Sequence, residues 1–392
     1  MLLEDVRQRL FAPTDSPIPR MVGAELELIP VYSATHTVAP ALASARALSR
    51  LAIDEHWRSE IKNGDPPSWN LPDESAVSFE PGGQIEISSS PHEAASSLID
   101  SLQRVTRVIQ TEMEKDGITL ISRGVDPYND IASVPLQLSR ERYIRMTDYF
   151  NSIGPSGIRM MRQTAALQIN VEKGREPLER WALLNALAPV VTGLFANSRQ
   201  YAAADSGFAS YRAQLWRTLD PTRTGLAYDA KDPPLHYLEF ALDAGAIRSG
   251  GRHETTRYQR FRDWMRDSDL TIEDWHFHLS TLFPEVRPKA YFELRSADTI
   301  DVEWLAAPIV FVIGLVYDPD SARDASALLG EPSVSLMEAA GRDGLRNGRL
   351  RKFVGELTRL SIEGAKALGE QYLSAGHVAA AREYFTRALD GD

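Results

Sequence analysis

The stretch GAELELIP, Gly23 to Pro30, sets two glutamates at alternate positions of a run that otherwise reads as core. Successive side chains of a β-strand point to opposite faces of the sheet. Over Met21 to Val31, Val22, Ala24, Leu26 and Leu28 therefore share one face, and Glu25 and Glu27 share the other. The same pattern recurs three times. In GGQIEIS (82–88), Ile85 and Ile87 oppose Gln84, Glu86 and Ser88. In RQTAALQINVE (162–172), Ala165, Leu167, Ile169 and Val171 oppose Thr164, Ala166, Gln168 and Asn170. In AYFELRS (290–296), Phe292 and Leu294 oppose Tyr291, Glu293 and Arg295.

A sheet with water over one face produces the same alternation. A merely solvated face, however, usually mixes in lysine, and lysine is absent from all four segments. Clustered carboxylates repel one another and take up protons unless a cation sits among them. Hard divalent cations prefer oxygen ligands, and Mg²⁺ in particular is held by one or two carboxylates plus water and substrate phosphates. Five glutamates (Glu25, Glu27, Glu80, Glu86 and Glu293) exceed the needs of one such ion and suit two or three. The glycines of EPGG, Glu80 to Gly83, permit a tight or bulged turn that lets Glu80 and Glu86 reach one site.

Positive charge has to come from outside the known phosphate loops, because neither G-x-x-x-x-G-K-[ST] nor G-x-G-x-x-G occurs. One source is a glycine-bounded segment, read as a loop over 205–225, that holds Arg212, Arg217 and Arg223. The other is FPEVRPKAYFELR, with Arg287, Lys289 and Arg295. Arginine suits bidentate binding of carboxylate or phosphate, whereas lysine acts as a point charge. Arg295 lies two residues after Glu293 on the same face, within reach of a metal-bound phosphate. His276 and His278 of WHFHLS are expected to have structural or hydrogen-bonding roles rather than metal-binding ones. A serine hydrolase is not supported, since no G-x-S-x-G elbow exists.

The bulk properties narrow the class. The chain has 392 residues, a formal charge of −11 and no cysteine. Its length allows two or three domains, or one large α+β enzyme around a single curved sheet. The acidic balance argues against nucleic acid and, weakly, against an anionic membrane. Without cysteine, disulfides, zinc–thiolate sites and thiol nucleophiles are excluded. MLLEDVRQRLFAPT lacks the apolar segment of a signal peptide, and a cytoplasmic location is expected. WLAAPIVFVIGLVYD (304–318) is too short to span a bilayer and contains Pro308, so it reads as a buried helix. Helical patterns also cover Ala41 to Ile53, a long stretch opening near Pro91 and Glu93, the segment from Pro177, and everything from Asp301 onward. A further strand pattern runs from Ile118 to Arg123, and AKDPPLH (230–236) reads as a loop.

GAELELIP, FEPGGQIEISSSP, MRQTAALQINVE, SYRAQLWRTLDPTRTG and HLSTLFPEVRPKAYFELRSAD occur in that order between Met21 and Asp298. In order and approximate spacing the set resembles the plant-type glutamate–cysteine ligase family, including the bacterial branch that makes γ-glutamylcysteine for ergothioneine. The resemblance implies an α+β, glutamine synthetase-like fold, in which a curved, mainly antiparallel sheet forms a funnel with helices outside. It places the catalytic domain at 1–300, with 301–392 as a helical segment packed on it. It implies ATP, two or three Mg²⁺ ions, L-glutamate and L-cysteine or another amine as ligands, and a monomer or weak homodimer. By the same resemblance Glu25, Glu27, Glu80, Glu86, Gln168 and Glu293 bind metal, with Glu293 and Arg295 catalytic. Arg212, Trp216 and Tyr211 would bind glutamate, while Arg287, Lys289 and Arg295 would bind nucleotide. Two departures stand out: Leu28 and Ile29 follow the first acidic motif where a charged residue is common, and Ala165 and Ala166 replace a Cys-Thr pair. They leave the acceptor open, and a ligase for another amine, a metal-dependent phosphohydrolase and a non-catalytic glutamate or nucleotide sensor remain rival readings.

Overall fold

The Met21–Val31 alternation forms the longest strand among the described residues, β1 (Val22–Tyr32). The computed structural model describes residues 1–14, 20–61, 64–247 and 258–391. Eight further strands join β1 in one open sheet: β2 (Arg58–Glu60), β3 (Ser68–Asn70), β4 (Ala76–Phe79), β5 (Ile85–Ser88), β6 (Ile118–Ile121), β7 (Ala166–Val171), β8 (Val286–Pro288) and β9 (Phe292–Asp298). Their order is β8-β9-β7-β1-β5-β4-β3-β2, with β6 pairing the far end of β1, and every pairing is antiparallel. The acid-bearing segments, spread from Glu25 on β1 to Glu293 on β9, thus become neighbours at the centre of the sheet.

The register decides what shares a face. Glu25 lies opposite Ser88 on β5 and Gln168 on β7, and Glu27 lies directly opposite Glu86. Glu293 on β9 faces Asn170 on β7 and Arg287 on β8. A register shift between Leu294 and Ala297 bends β9 just beyond Arg295, as a bulge does. The apolar face, with Ala24, Leu26, Leu28, Leu167, Ile169, Phe292 and Leu294, is buried in the main core. Against it pack the helices Ala95–Glu114, Pro177–Leu194 and Ala306–Tyr317.

Every residue of the helix Ala306–Tyr317 is buried, as the run 304–318 leads one to expect. The helices Gly348–Ala367 and Ala375–Asp390 pack against it, and one continuous core runs from Val6 to Phe385. At the crossing, a Cβ added to Gly314 would stand 2.0 Å from the Ser361 carbonyl oxygen, so glycine is what lets the backbones touch. Among the described residues no single helix is long and apolar enough to cross a membrane.

Three sequence expectations change. The alternation from Val77 to Ser88 reads as one strand pattern, yet the structure has two strands there, β4 and β5, because the Pro81–Gly83 turn divides it. The 205–225 segment is not all loop: Ser210 accepts a hydrogen bond from Ala213 N and caps a helix over Tyr211–Leu219. AKDPPLH likewise opens a helix, Pro233–Asp243, with Asp232 as the cap and the prolines in the first turn, where a missing N–H costs nothing.

Candidate functional site

The polar face of β1, β5 and β7 forms one wall of a cavity, lined by Glu25, Glu27, Glu80, Glu86 and Gln168. The lining also carries four arginines, Arg287 and Arg295 from β8 and β9 of the same sheet and Arg142 and Arg212 from helices, with Trp216 and Phe283; Tyr143, Met146, Met160, Met161, Pro81, Gln84, Thr164 and Ala166 are the other lining residues.

Glu80 reaches this wall through its turn. Glu80 N donates to Gln84 O and Gly83 N to Glu80 O, both at 2.8 Å. Gly83 takes φ +90°, and a Cβ on Gly82 would fall 1.9 Å from the Arg162 carbonyl oxygen. Gln84, which alternation puts beside Glu86, lines the same cavity and is buried as a brace, its amide donating to Thr164 O at 2.9 Å.

The acids are short of positive charge. Glu27 accepts from Ala166 N at 2.8 Å and from the Gln168 amide at 3.2 Å. Glu86 accepts from the hydroxyls of Ser88 (3.0 Å) and Ser78 (3.4 Å). None of these partners is a cation. Burial first, then the charges of Glu293 and Glu86, push Glu25 up to about 7. Burial likewise pushes Glu27 up to about 7, outweighing attraction to Arg212 and Arg295. Glu80 is raised by burial and then by Glu86 and Glu27, and Glu86 by burial and then by Glu27. Like charges facing each other across strands destabilise a sheet, and Glu27 and Glu86 face each other in the lining of one cavity.

Glu293 is the contrary case. It is fully buried, yet Arg295, Arg287 and Lys289 overcome the desolvation and hold it down to about 2. Arg295 Nη1 lies 2.5 Å and Arg287 Nη1 3.5 Å from Glu293 Oε2, while Lys289 Nζ bonds Glu293 Oε1 and stands 3.5 Å from Glu25 Oε1. Glu293 and Lys289 are not lining residues of the cavity. They form an ion-paired rim beside it, which places Lys289 between two carboxylates rather than facing the cavity as a free cation.

The arginines of the lining are crowded and only partly satisfied. Burial, then the charge of Arg295, pull Arg287 down to about 10. Buried Nε atoms of Arg142, Arg212, Arg287 and Arg295 have no hydrogen-bond partner among the described residues, and neither does Gln168 Oε1. Trp216 donates its indole N–H to Phe283 O at 2.9 Å, and the guanidinium groups of Arg212 and Arg295 lie 4.8 and 5.3 Å from its ring centroid. Stacking of this kind holds an arginine without using its hydrogen-bond donors. Among the described residues no three acids are gathered into a ready-made cage. The donor set fits Mg²⁺ nonetheless, because that ion needs only one or two carboxylates and brings its own water, and the uncompensated Glu27–Glu86 pair is what a cation would relieve.

Of the sequence candidates, Glu25, Glu27, Glu80, Glu86, Gln168, Arg212, Trp216, Arg287 and Arg295 come together around one cavity. Tyr211 does not line it; its hydroxyl accepts from Arg159 at 3.2 Å and its ring packs on Tyr201 and Phe208. His276 and His278 lie on the helix Ile272–Ser280, where His276 meets Asp5 and buried His278 bonds Ala241 O. Sequence reasoning missed Arg142, Tyr143 and the three methionines, which come from the helices Glu141–Ile153 and Pro155–Gln163. The apolar spacing of Tyr143, Met146 and Phe150 marks a helix, but nothing in it says that Arg142 turns toward acids on distant strands.

Residues 21–355 match the model of glutamate–cysteine ligase family 2. The chain belongs to that family. It is 33% identical over 301 residues to the glutamate–cysteine ligase EgtA of Mycobacterium tuberculosis, covering 71% of this chain and 68% of that one. Against EgtA of Mycolicibacterium smegmatis the identity is 30% over 336 residues, 79% and 78% of the two chains. A chloroplastic glutamate–cysteine ligase of rice is 29% identical over 316 residues, 75% of this chain and 64% of the rice protein. Among solved structures, glutamate–cysteine ligase of Francisella tularensis in complex with AMP superposes with a TM-score of 0.55 at 11% identity, over 97% and 83% of the two chains. That likeness establishes the fold, glutamine synthetase-like and α+β, around an open antiparallel sheet.

Proposed function

We propose that this family 2 enzyme joins the γ-carboxylate of L-glutamate to the α-amine of L-cysteine at the expense of ATP. The products are γ-glutamylcysteine, ADP and phosphate. The observation that carries this reading is the convergence on one cavity of Glu27 and Glu86, whose hydrogen-bond partners are all uncharged, with buried arginines whose Nε atoms have no partner among the described residues. A site of that kind complements a metal–triphosphate and a substrate carboxylate together.

In the first step a γ-carboxylate oxygen attacks the γ-phosphorus of ATP and the bond to the bridging oxygen breaks, giving γ-glutamyl phosphate and ADP. In the second the amine nitrogen attacks the acyl carbon, phosphate departs, and the amine proton passes to the released phosphate. A carboxylate is already nucleophilic, so positioning and charge neutralisation do most of the work. Glu25, Glu27, Glu80, Glu86 and Gln168 would hold two or three Mg²⁺ ions, with Glu293 at the rim; bound there, the metal neutralises phosphate charge. Arg295 and Arg287 meet the transferring phosphoryl group. Arg212, laid flat on Trp216, receives a glutamate carboxylate. Residues 1–300 form the catalytic part on this reading, and 301–392 brace it from behind.

The test is ADP release from Mg²⁺-ATP with glutamate and candidate amines added singly. Turnover that requires glutamate and rises most with cysteine supports the reading. Equal ADP release without glutamate overturns it in favour of a phosphohydrolase, and a larger response to another amine replaces cysteine as the acceptor.

A further inference from the structure

Asp298, the last residue of β9, is 1% exposed and lines no part of the cavity, yet three donors converge on it. Asn197 N and the Ser198 hydroxyl donate to Oδ2 at 2.8 and 2.7 Å, and the Ser210 hydroxyl donates to Oδ1 at 3.0 Å. The two serines pass the connection on. Ser198 Oγ accepts from Arg212 N and Ser210 Oγ from Ala213 N, each at 3.1 Å. The first turn of the helix Tyr211–Leu219 is therefore fastened to Asp298 through both hydroxyls.

The Arg212 side chain is fastened to the same carboxylate by charge, its Nη1 lying 3.8 Å from Asp298 Oδ1. Its Nη2 donates to Arg295 O at 2.7 Å, and Trp216 covers one face of the guanidinium. Nη1 is thus held by Asp298 and Nη2 by a backbone carbonyl, and buried Nε is left without a partner among the described residues. Gly124 leaves room for this arrangement: a Cβ there would stand 2.3 Å from the Asp298 carboxyl carbon.

We infer that Asp298 is the positioning residue for Arg212, fixing the guanidinium so that it presents a free donor to the substrate carboxylate. The inference rests on the reading of Arg212 given above. In Asp298→Asn, the backbone N–H of Asn197 cannot reverse, so the amide oxygen must keep the Oδ2 place. The amide NH₂ then faces the guanidinium, donor against cation. A guanidinium displaced by about 1 Å costs on the order of 100-fold in a positioned reaction.

The experiment compares Asp298→Asn, Arg212→Gln and Ser210→Ala with the parent, reading KM for glutamate, KM for ATP, kcat and thermal unfolding. Asp298→Asn should raise KM for glutamate at least about tenfold with KM for ATP within about twofold. Ser210→Ala removes the helix cap but keeps the charge, and should shift KM for glutamate by less than about threefold. A purely structural Asp298 would lower kcat through loss of folded enzyme and leave both KM values alone, which overturns the inference. An equal effect from Ser210→Ala overturns it too, by assigning the work to the cap. If Arg212→Gln leaves KM for glutamate unchanged, the reading of Arg212 fails and the inference falls with it.

Discussion

Glu86→Gln separates a carboxylate kept for function from one kept for folding. Glu86 faces Glu27 directly across the β1–β5 pair, where facing side chains start about 5 Å apart. Two full charges at that distance repel by about 3 kcal/mol at an effective dielectric constant of about 20. Side-chain relaxation and cavity water reduce the recoverable part to about 1–3 kcal/mol. Glutamine keeps an acceptor for the Ser78 and Ser88 hydroxyls, so nothing is left unpaired. In EDTA at pH 8.5, above the value of about 7 to which Glu27 is pushed, the variant should therefore be more stable than the parent. With an unfolding entropy of about 2.1 cal/mol/K per residue over 392 residues, the rise in Tm is about 1–4 °C. In saturating Mg²⁺ the order should reverse, because the parent gains about 2.7 kcal/mol per site at a hundredfold excess over Kd and the variant loses a ligand. Turnover should fall at least about 100-fold. Calorimetry in EDTA and in Mg²⁺, beside an ADP-release assay, reads all three. A variant less stable than the parent in EDTA, or one that keeps full activity, refutes the reasoning.

Other outcomes follow from separate parts of the molecule. Burial, against the hydrogen bond to Ala241 O, holds His278 down to about 3 in the folded chain, with the charge of Arg223 adding to the depression. Its contribution is complete above the unfolded value of about 6.5 and is lost toward pH 3 at up to about 1.4 kcal/mol per pH unit; denaturant melts from pH 7 to 4 should show a shallower loss for His278→Gln. Gly314→Ala drives a methyl group into the Ser361 carbonyl and should lower unfolding stability by about 3 kcal/mol, measured in urea. Tyr211→Phe should change kcat/KM for glutamate by less than about twofold, because its hydroxyl serves Arg159, whereas Trp216→Ala should cost about 100-fold by freeing the guanidinium groups stacked on it.

Much of the site was legible because strand alternation is a local rule. Once Glu25, Glu27, Glu86 and Gln168 are known to lie on strands, their common polar face follows from a period of two. The arginines were harder. Arg212 and Trp216 were found by their motif, but their helix was hidden by glycine, serine and threonine on both sides, residues that mark caps as readily as loops. Arg142 gave no signal, since a cation beside Glu141 in the first turn of an amphipathic helix reads as an exposed charge. Tyr211 sits next to Arg212 in sequence, yet consecutive helical positions point about 100° apart, and it faces Arg159 instead of the cavity.

The order of residues alone settled which side chains share a strand face on β1, β7 and β9, that 304–318 holds a buried helix, and that the chain itself offers no thiol. Those properties depend on dihedral periodicity and composition, which act over a few residues. Only the folded chain decided that Glu86 stands opposite Glu27, that Lys289 pairs with Glu293 at the rim, and that Asp298 anchors Arg212. Such pairings depend on strand register and helix docking, which are fixed by burying apolar faces from distant segments at once; no local pattern encodes them.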